Sequence, residues 1–434
     1  MKKIIELILA KLSRKVVVRY QPRIVAVTGS VGKTSTKNAI VAALQGRFDL
    51  RTGCENYNTE FGVPLTIIDA KSPGRSSVGW FFVLLKGFAL AYGRRQKYPE
   101  LLVLEFGVDH PGDMKKLCSI APPEVGVVTR ISPVHVEHFE SVEHLAQEKS
   151  GLIKTLDKSG LAVLNANDKT VAAMSELSKA PVKTYGFDIG ADVKGSAFSD
   201  MMKLDSNFEV GEIAANSMFR VEAGGEALDV ELHNIVGQAA SSAALAAFVV
   251  GRHFGLGLNQ IAEGLRNFVP MPGRLRLLPG IKGSLLIDDS YNAAPASVIA
   301  ALDVLEEFAP FEDARRIAVF GDMLELGSLT EDEHARVGRY AFEHKVDLLV
   351  TAGERALDIA RGAREAGMSD DQIQSFKNSE DAGRWLDPKI KSGDIVLVKG
   401  SQGARMEIVT KELMAEPARA KELLVRQQQP WVTE

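Results

Sequence analysis

The stretch Ile24 to Ile40, IVAVTGSVGKTSTKNAI, most constrains what this chain can fold into. Its apolar beginning, Ile24 to Val27, predicts a buried strand, and the polar residues that follow lead into a helical pattern. Between them, Gly29 and Gly32 allow the backbone to curl so that its N–H groups point inward at the start of the helix. This order of elements predicts a phosphate-binding loop.

The residue types after the glycines fit the same interpretation. Lys33 can neutralise phosphate oxygens and the Thr34 hydroxyl can hold Mg²⁺. The usual spacing of such a loop has a glycine where Val27 stands, so only a shortened T-G-S-x-G-K-T-[ST] pattern is present. The alternative is an ordinary strand-turn-helix corner. We predict a nucleotide site formed by Gly29, Ser30, Gly32, Lys33, Thr34 and Ser35.

Composition limits the class of protein. A chain of 434 residues is too long for one core and indicates two or three domains, and 45% apolar with 25% charged residues is typical of a globular protein. A net charge of −4 gives no support to nucleic-acid binding through a globally basic surface. The two cysteines, Cys54 and Cys118, provide neither a disulfide framework nor a CxxC metal motif, which fits a reducing cytoplasm.

Two apolar stretches do not belong to the nucleotide motif. Residues 1–22 form an amphipathic, basic segment. This pattern indicates either a helix packed on the first domain or a helix that lies on an anionic membrane surface, and we favour the first interpretation. Residues 78–92, VGWFFVLLKGFALAY, are too few to span a bilayer and include Lys86. A core helix, a partner-binding helix and an interfacial helix all remain open. Residues 1–20 and 78–92 together are a hypothetical membrane-facing or partner-facing patch.

Further polar residues follow predicted strands or turns. Asn56 and Asn58 lie in the polar turn of CENYNTEFG, where short amides either bind a ligand or cap the turn. Glu105 ends the apolar run LLVLE, at the edge of an α/β sheet where ligands tend to bind. With Mg²⁺ implied by the loop, Glu105 is a candidate metal ligand, and a helix-capping acid is the alternative. From residue 271, the linker-like MPGRLRLLPG precedes a second series of alternating strands and helices.

Nine motifs in order carry a specific resemblance: TGSVGKTSTK, ENYNTEFGVP, LEFGVDHPGDM, HVEHFES with a following EK, NAND, GRL, DDSYNAAP, GDMLELG and VKGSQGARME. Together they resemble the Mur ligase superfamily, and within it most closely the MurF branch, over residues 22 to about 415. The resemblance implies an α/β fold in which a P-loop central ATPase domain is followed by a Rossmann-like C-terminal domain. The implied division is an N-terminal extension (1–22), a central domain (23–270) and a C-terminal domain (271–434).

The resemblance also implies roles for individual residues. Thr34, Glu105 and His135 would coordinate or support Mg²⁺, and Lys149 stands where many members carry a carbamate that helps to bind a second Mg²⁺. Lys33, His135 and Lys149 would thus be the catalytic residues, and Asn56 and Asn58 would line the substrate cleft. The nucleotide would be contacted from the second part of the chain by Arg274, Asp289, Tyr291 and Asn292. The incoming amine would face Lys399, Ser401 and Arg405.

The implied reaction is ATP-dependent amide formation through an acyl phosphate, joining D-Ala-D-Ala to a UDP-MurNAc-tripeptide-like acid in peptidoglycan precursor synthesis. Two alternatives remain: the same ligation on a different acid, and a nucleotide-dependent subunit that works with a partner.

Some positions depart from the family pattern. Ala239, Ala240 and Ala243 stand where the family usually has His and Asn, the Asn lying near adenine, and Ala294 and Gln402 replace a common Asn and a common basic residue. Only some twenty residues precede the loop, where the branch has a UDP-sugar-binding domain. We therefore expect that ATP chemistry is retained and substrate recognition is altered.

Overall fold

The computed structural model describes residues 2–53, 57–132, 139, 141–187, 190–202, 209, 212, 214–308 and 314–427. The chain forms two compact units. The first comprises residues 1–197, 219–230 and 242–268, and the second comprises residues 198–218, 231–241 and 269–434. The predicted α/β class is confirmed.

A nine-stranded sheet has the strand order β2-β3-β1-β4-β5-β6-β7-β8-β9. The strands are β1 (Arg23–Thr28), β2 (Leu50–Thr52), β3 (Leu101–Glu105), β4 (Val125–Val128), β5 (Leu161–Asn165), β6 (Val182–Gly186), β7 (Val193–Met202), β8 (Ala215–Ala223) and β9 (Glu226–His233). The strands from β2 to β7 pair in parallel. Because β3, β4 and β5 are buried along their whole length, they read as continuous apolar runs in the sequence.

Nine helices precede the second sheet within the described residues: α1 (Lys2–Tyr20), α2 (Lys33–Leu44), α3 (Gly62–Ile67), α4 (Ser77–Tyr92), α5 (Asp113–Ile120), α6 (Val142–Lys154), α7 (Lys169–Ala172), α8 (Gln238–His253) and α9 (Leu258–Leu265). In the first unit, α1 packs against α3, α4 and α5. Its buried residues are Leu9, Leu12, Ser13, Val16 and Val17, whereas Ile4 and Ile8 are exposed.

The second unit contains a six-stranded sheet with the order β10-β11-β15-β12-β13-β14, in which only β10 is antiparallel to its neighbour. Its strands are β10 (Arg276–Pro279), β11 (Leu285–Asp289), β12 (Arg316–Gly321), β13 (Leu348–Ala352), β14 (Ile373–Phe376) and β15 (Ile395–Lys399). Its helices are α10 (Pro295–Glu307), α11 (Thr330–Glu343), α12 (Leu357–Ala366), α13 (Ser379–Leu386), α14 (Glu407–Leu413) and α15 (Ala420–Leu423).

Alternate residues of these strands enter two separate apolar cores. Ile287 and Phe320 belong to one core, whereas Leu286 and Val319 belong to the other. A sheet with helices packed on both faces results, as expected for a Rossmann-like domain. Among the described residues, none of the helices has the length and apolar character needed to cross a bilayer.

Candidate functional site

The predicted phosphate loop connects β1 to α2 at the carboxyl edge of the first sheet. Strand β1 lies between β3 and β4, so the sheet order changes direction at this point, where α/β proteins commonly bind ligands. Gly29 has φ 149° and Gly32 has φ 85°, both in the region that favours glycine. A Cβ atom on Gly29 would lie 2.0 Å from Thr129 Oγ1, so only glycine fits at this position.

The polar groups of the loop fit an anion. The Ser30 Oγ atom is buried and has no hydrogen-bond partner within the part of the chain that the structure describes. Lys33 Nζ donates to the carbonyl oxygens of Gly29, over 2.9 Å, and Ser30, over 3.1 Å. Ser35 follows, half-buried, in the first turn of α2. An ammonium group, an unsatisfied hydroxyl and a helix N-terminus therefore meet at one loop, which is what phosphate oxygens require.

Two side chains converge on the Glu105 carboxylate, at the end of β3. Thr34 Oγ1 donates to Glu105 Oε2 over 2.8 Å, and Asn58 Nδ2 donates to Glu105 Oε1 over 3.1 Å. The backbone of Asn58 is itself fixed, because its main-chain carbonyl oxygen accepts a hydrogen bond from the Gly107 amide over 2.8 Å. The Thr34 and Glu105 oxygens are hard ligands next to the loop, so this donor set fits Mg²⁺.

Lys149 reaches the same loop from α6. Its Nζ atom donates to the Gly29 carbonyl oxygen over 3.0 Å, and the side chain is buried. Burial and then the nearby charge of Lys33 hold the pKa of Lys149 well below its usual value, and Asp109, Glu105 and Glu148 act in the opposite direction. A lysine with a lowered pKa has more of the neutral amine that reacts with CO₂ than an exposed lysine has.

Two predicted site residues, Asn56 and His135, lie outside the described residues. The other candidates of the first unit are brought together by the loop and the two strand ends beside it. They are Gly29, Ser30, Gly32, Lys33, Thr34, Ser35, Asn58, Glu105 and Lys149.

The second unit has its own polar cluster at the carboxyl ends of β11 and β15. Lys399 Nζ lies 2.5 Å from Asp289 Oδ2 and donates to the Asn292 carbonyl oxygen over 2.9 Å. The Lys399 side chain is almost fully buried, and burial lowers its pKa in spite of Asp289. This ion pair therefore fixes the loop that contains Asn292.

The segment expected to be a linker is tied to β11. The Leu275 amide donates to Asp289 Oδ1 over 3.1 Å, and the Gly273 amide donates to Asp288 Oδ2 over 3.0 Å. Strand β10 (Arg276–Pro279) follows directly, so the second half of MPGRLRLLPG belongs to the second sheet, and two carboxylates at the end of β11 bind the backbone of the first half. Arg274 stacks on Tyr291, with 4.0 Å from Cζ to the ring centroid.

The remaining predicted residues of this cluster contact its loops. Ser401 Oγ donates to the Ala293 carbonyl oxygen over 3.1 Å and accepts from the Leu324 amide over 2.9 Å. Arg405 Nε lies 2.5 Å from the carboxylate of Glu407, which is fully buried. All seven candidates of the second unit thus lie in one cluster: Arg274, Asp289, Tyr291, Asn292, Lys399, Ser401 and Arg405.

Sequence reasoning missed three residues that support the cluster. Arg426 donates to the carbonyl oxygens of Ser290, over 2.5 Å, and Tyr291, over 3.0 Å, and it pairs with Glu407 over 3.0 Å. Asp288 is fully buried, and burial raises its pKa to about 6. The pair of acids at the end of β11 was a usable signal for Asp288, whereas no local pattern marks Glu407 or Arg426.

Comparisons with known proteins agree with this geometry. Residues 27–251 match the Mur ligase middle domain, and residues 273–402 match the Mur ligase, glutamate ligase domain. The UDP-N-acetylmuramoyl-tripeptide--D-alanyl-D-alanine ligase of Mycobacterium tuberculosis (strain CDC 1551 / Oshkosh) is 31% identical over 91% of this chain and 73% of its own length. The ligase of that name from Bacillus subtilis (strain 168) is 26% identical over 91% of this chain and 76% of its own length.

The fold has similar relatives among solved structures. MurF ligase from Thermotoga maritima, in complex with ADP, superimposes with a TM-score of 0.75 at 25% identity, covering 93% of this chain and 82% of that chain. The predicted order of a P-loop ATPase domain and a Rossmann-like domain is thereby confirmed. The chain belongs to the Mur ligase family.

Proposed function

We propose that this chain is an ATP-dependent ligase that joins D-Ala-D-Ala to a UDP-MurNAc-tripeptide-like acid in peptidoglycan precursor synthesis. The names of the similar ligases support these substrates, and the ADP complex of the Thermotoga relative supports the nucleotide. The observation that carries the proposal is the convergence of Thr34 and Asn58 on Glu105, next to a loop that also receives Lys149.

In the proposed reaction, a carboxylate oxygen of the acid attacks the γ-phosphorus of ATP, and the bond to ADP breaks. The amine of the second substrate then attacks the acyl carbon, the amide bond forms, and inorganic phosphate leaves. The amine proton passes to solvent. Lys33 offsets negative charge on the phosphate oxygens during the first transfer, which is the main demand of phosphoryl transfer on a protein.

Mg²⁺ would be held by Thr34 and Glu105, where it would neutralise phosphate charge. His135 would coordinate or support the same ion, and a carbamate on Lys149 would help to hold a second one. In the second unit, Arg274, Asp289, Tyr291 and Asn292 would contact the nucleotide. Lys399, Ser401 and Arg405 would serve the amine substrate, Lys399 through the loop that it fixes.

We also propose the domain division 1–22, 23–270 and 271–434, a cytoplasmic location, and peripheral association through residues 1–20 and 78–92. The occupant of that patch is either a membrane or a protein partner.

The test is phosphate release with each substrate singly and with both. Release that depends on both a UDP-MurNAc-tripeptide and D-Ala-D-Ala supports the proposal. Release with a different acid would indicate the same chemistry on another substrate, and nucleotide binding without any turnover would indicate a subunit that needs a partner. The Lys33→Ala variant should lose measurable turnover and keep its fold, whereas Lys158→Ala, a change at an exposed lysine, should behave like the parent.

The metal ligands have a separate test. Glu105→Gln removes the charged oxygen, so turnover should fall roughly a hundred- to thousandfold, the usual effect of losing one group that stabilises transition-state charge. Thr34→Ser keeps the hydroxyl and should retain most activity, whereas Thr34→Val should not. Equal turnover in the serine and valine variants, across a range of Mg²⁺ concentrations, contradicts the assignment of Thr34.

A further inference from the structure

Helix α4 presents an apolar face to solvent along its whole length. Its large outward side chains are exposed by 51–67%: Val78, Phe81, Phe82, Leu85, Phe88 and Tyr92. The spacing of these residues places them on one side of a helix of 3.6 residues per turn. Single exposed apolar residues are ordinary, but a continuous stripe of four aromatic and two aliphatic side chains indicates an interaction surface.

The opposite side of α4 is firmly packed. Its buried residues are Val83, Gly87, Leu90 and Ala91. A Cβ atom on Gly87 would lie 3.2 Å from Leu12 Cδ1, so α1 approaches closely here. Arg19 of α1 donates to the carbonyl oxygens of Leu90, over 3.0 Å, and Gly93, over 2.6 Å. The exposed stripe is therefore a fixed feature of the first unit and not the result of a detached helix.

The outward side of α1 continues the character of this surface. Ile4, Leu7 and Ile8 are exposed there, with Lys3 before them, Lys11 after them and one acid, Glu6, among them. Lys11 and Arg14 line an open cavity of about 290 Å³ together with Ala10, Ser119 and Ile120. A cavity with two cationic side chains beside an apolar face suits an anionic headgroup.

The charge in and around the two helices is mainly positive. Residues 70–99 contain six Lys and Arg residues and no Asp or Glu, and residues 2–20 contain six Lys and Arg residues and one Glu, in a chain of net charge −4. Lys86 and Lys97 pair with Asp69 and Asp49. Within the described ranges, no carboxylate forms a salt bridge with these cations: Lys3, Lys11, Arg14, Lys15, Arg75, Arg94 and Arg95.

We propose that the outward faces of α4 and α1 form an interfacial binding site for an anionic membrane surface. Aromatic and aliphatic side chains with surrounding Lys and Arg residues are the composition of helices that lie in the plane of an interface. A helix of 16 residues is too short to span the bilayer, and it has the length to lie on it. This proposal rests on the peripheral association proposed above, in which the occupant of the patch is either a membrane or a protein partner. It does not depend on the ligase reaction.

Charge complementarity favours lipid over a protein partner. A protein interface of ordinary size has an apolar centre with a rim of mixed polar groups. Here, by contrast, the charged residues at both ends of the apolar stripe, Arg75 before it and Arg94 and Arg95 after it, are all basic. Anionic headgroups attract each basic residue near the surface, and the apolar stripe inserts at the boundary between headgroups and acyl chains.

The test is co-sedimentation of the full chain with phosphatidylcholine vesicles, with and without phosphatidylglycerol, at low and high salt. We expect binding to the anionic vesicles that weakens with salt. Leu85→Glu and Phe82→Glu should abolish it, since each places a carboxylate in the stripe. Arg75→Glu should lower the partition coefficient by more than about fivefold, since one basic residue contributes about 1 kcal/mol at such a surface.

Leu357→Glu is the matched control, because Leu357 lies on α12 and is 54% exposed, close to the 51% of Leu85. This control should bind vesicles like the parent. Absence of binding to anionic vesicles at low salt overturns the lipid proposal. The proposal is also overturned if the chain does not bind vesicles but self-associates, or stably captures a protein, in a way that Leu85→Glu abolishes. Phosphate release measured without vesicles reports separately on the ligase proposal.

Discussion

Lys149 Nζ and the Gly29 carbonyl oxygen are 3.0 Å apart, although 120 residues separate them in the chain. This bond joins α6 to the loop that follows β1, and it places a buried amine beside the group of oxygens around Glu105. Because burial lowers the pKa of Lys149, the neutral amine is available at a lower pH than in an exposed lysine.

The first prediction is that Lys149 takes up CO₂ as a carbamate. Only the neutral amine adds to CO₂, so carbamate formation should increase as the pH rises through the lowered pKa of Lys149. Incubation with ¹³C-bicarbonate should give a carbamate resonance that Lys149→Met lacks and Lys158→Ala keeps. Identical spectra for the parent and Lys149→Met would exclude modification at this residue.

The second prediction concerns the space at Gly29. Gly29→Ala should lower ADP affinity by more than about tenfold, or about 1.4 kcal/mol, because the new methyl group overlaps Thr129 Oγ1 and forces the loop to move. Gly46→Ala is a suitable control, since Gly46 also has a positive φ, 81°, but among the described residues beyond its chain neighbours no atom lies within 4 Å of its added Cβ. Calorimetric titration with ADP distinguishes the two, and an equal effect of both changes would contradict the overlap argument.

The third prediction is a pH effect from Asp288. Burial raises the pKa of this carboxyl to about 6, so between the unfolded value and about pH 6 the folded state holds more protons than the unfolded state. The free energy of unfolding should therefore fall as the pH rises through this window, by up to about 3 kcal/mol, and level off above it.

Asp288→Asn checks this sign. The variant keeps an acceptor but cannot ionise, so its melting temperature should fall less than that of the parent between about pH 4 and pH 7. Asp347→Asn, a change at an exposed aspartate that also accepts a hydrogen bond from a backbone amide, is the control and should follow the parent. Parallel melting curves for the parent and Asp288→Asn would contradict the prediction.

The phosphate site was predictable because its parts are adjacent in the chain. Strand, glycines, Lys33 and Thr34 occur within seventeen residues, and Glu105 is marked by its place at the end of an apolar run. The two-unit α/β order followed from the alternation of strands and helices and from the resemblance to the Mur ligases. These signals are local, and the confirmed fold class depends on them.

The contacts that hold the sites could not be predicted in the same way. Helix α1 buries Val16 and Val17 but leaves Ile4 and Ile8 exposed, and this difference depends on where α3, α4 and α5 contact it. The second half of the expected linker is strand β10, because its backbone pairs with β11, and Asp288 and Asp289 bind the Gly273 and Leu275 amides that precede it. Each of these outcomes is decided by residues distant in sequence, whose positions no local pattern encodes.

The last prediction concerns such a distant contact. Arg426 lies beyond the matched glutamate ligase domain and binds both the Tyr291 loop and the buried Glu407. Arg426→Met should destabilise the fold by about 3–5 kcal/mol, because it removes one partner of a buried ion pair, and it should weaken ADP binding through the Tyr291 loop. Arg419→Met, at a more exposed ion pair of the same segment, should destabilise the fold much less.

Chemical denaturation measures the free energy of unfolding of the two variants and so compares the loss of a buried ion pair with the loss of a surface ion pair. If Arg426 acts by compensating the Glu407 charge, the double variant Arg426→Met with Glu407→Leu should be more stable than Arg426→Met alone, since the buried carboxylate that Arg426 compensates is then also absent. Equal losses for Arg426→Met and Arg419→Met would mean that the contacts of Arg426 do not stabilise the Tyr291 loop.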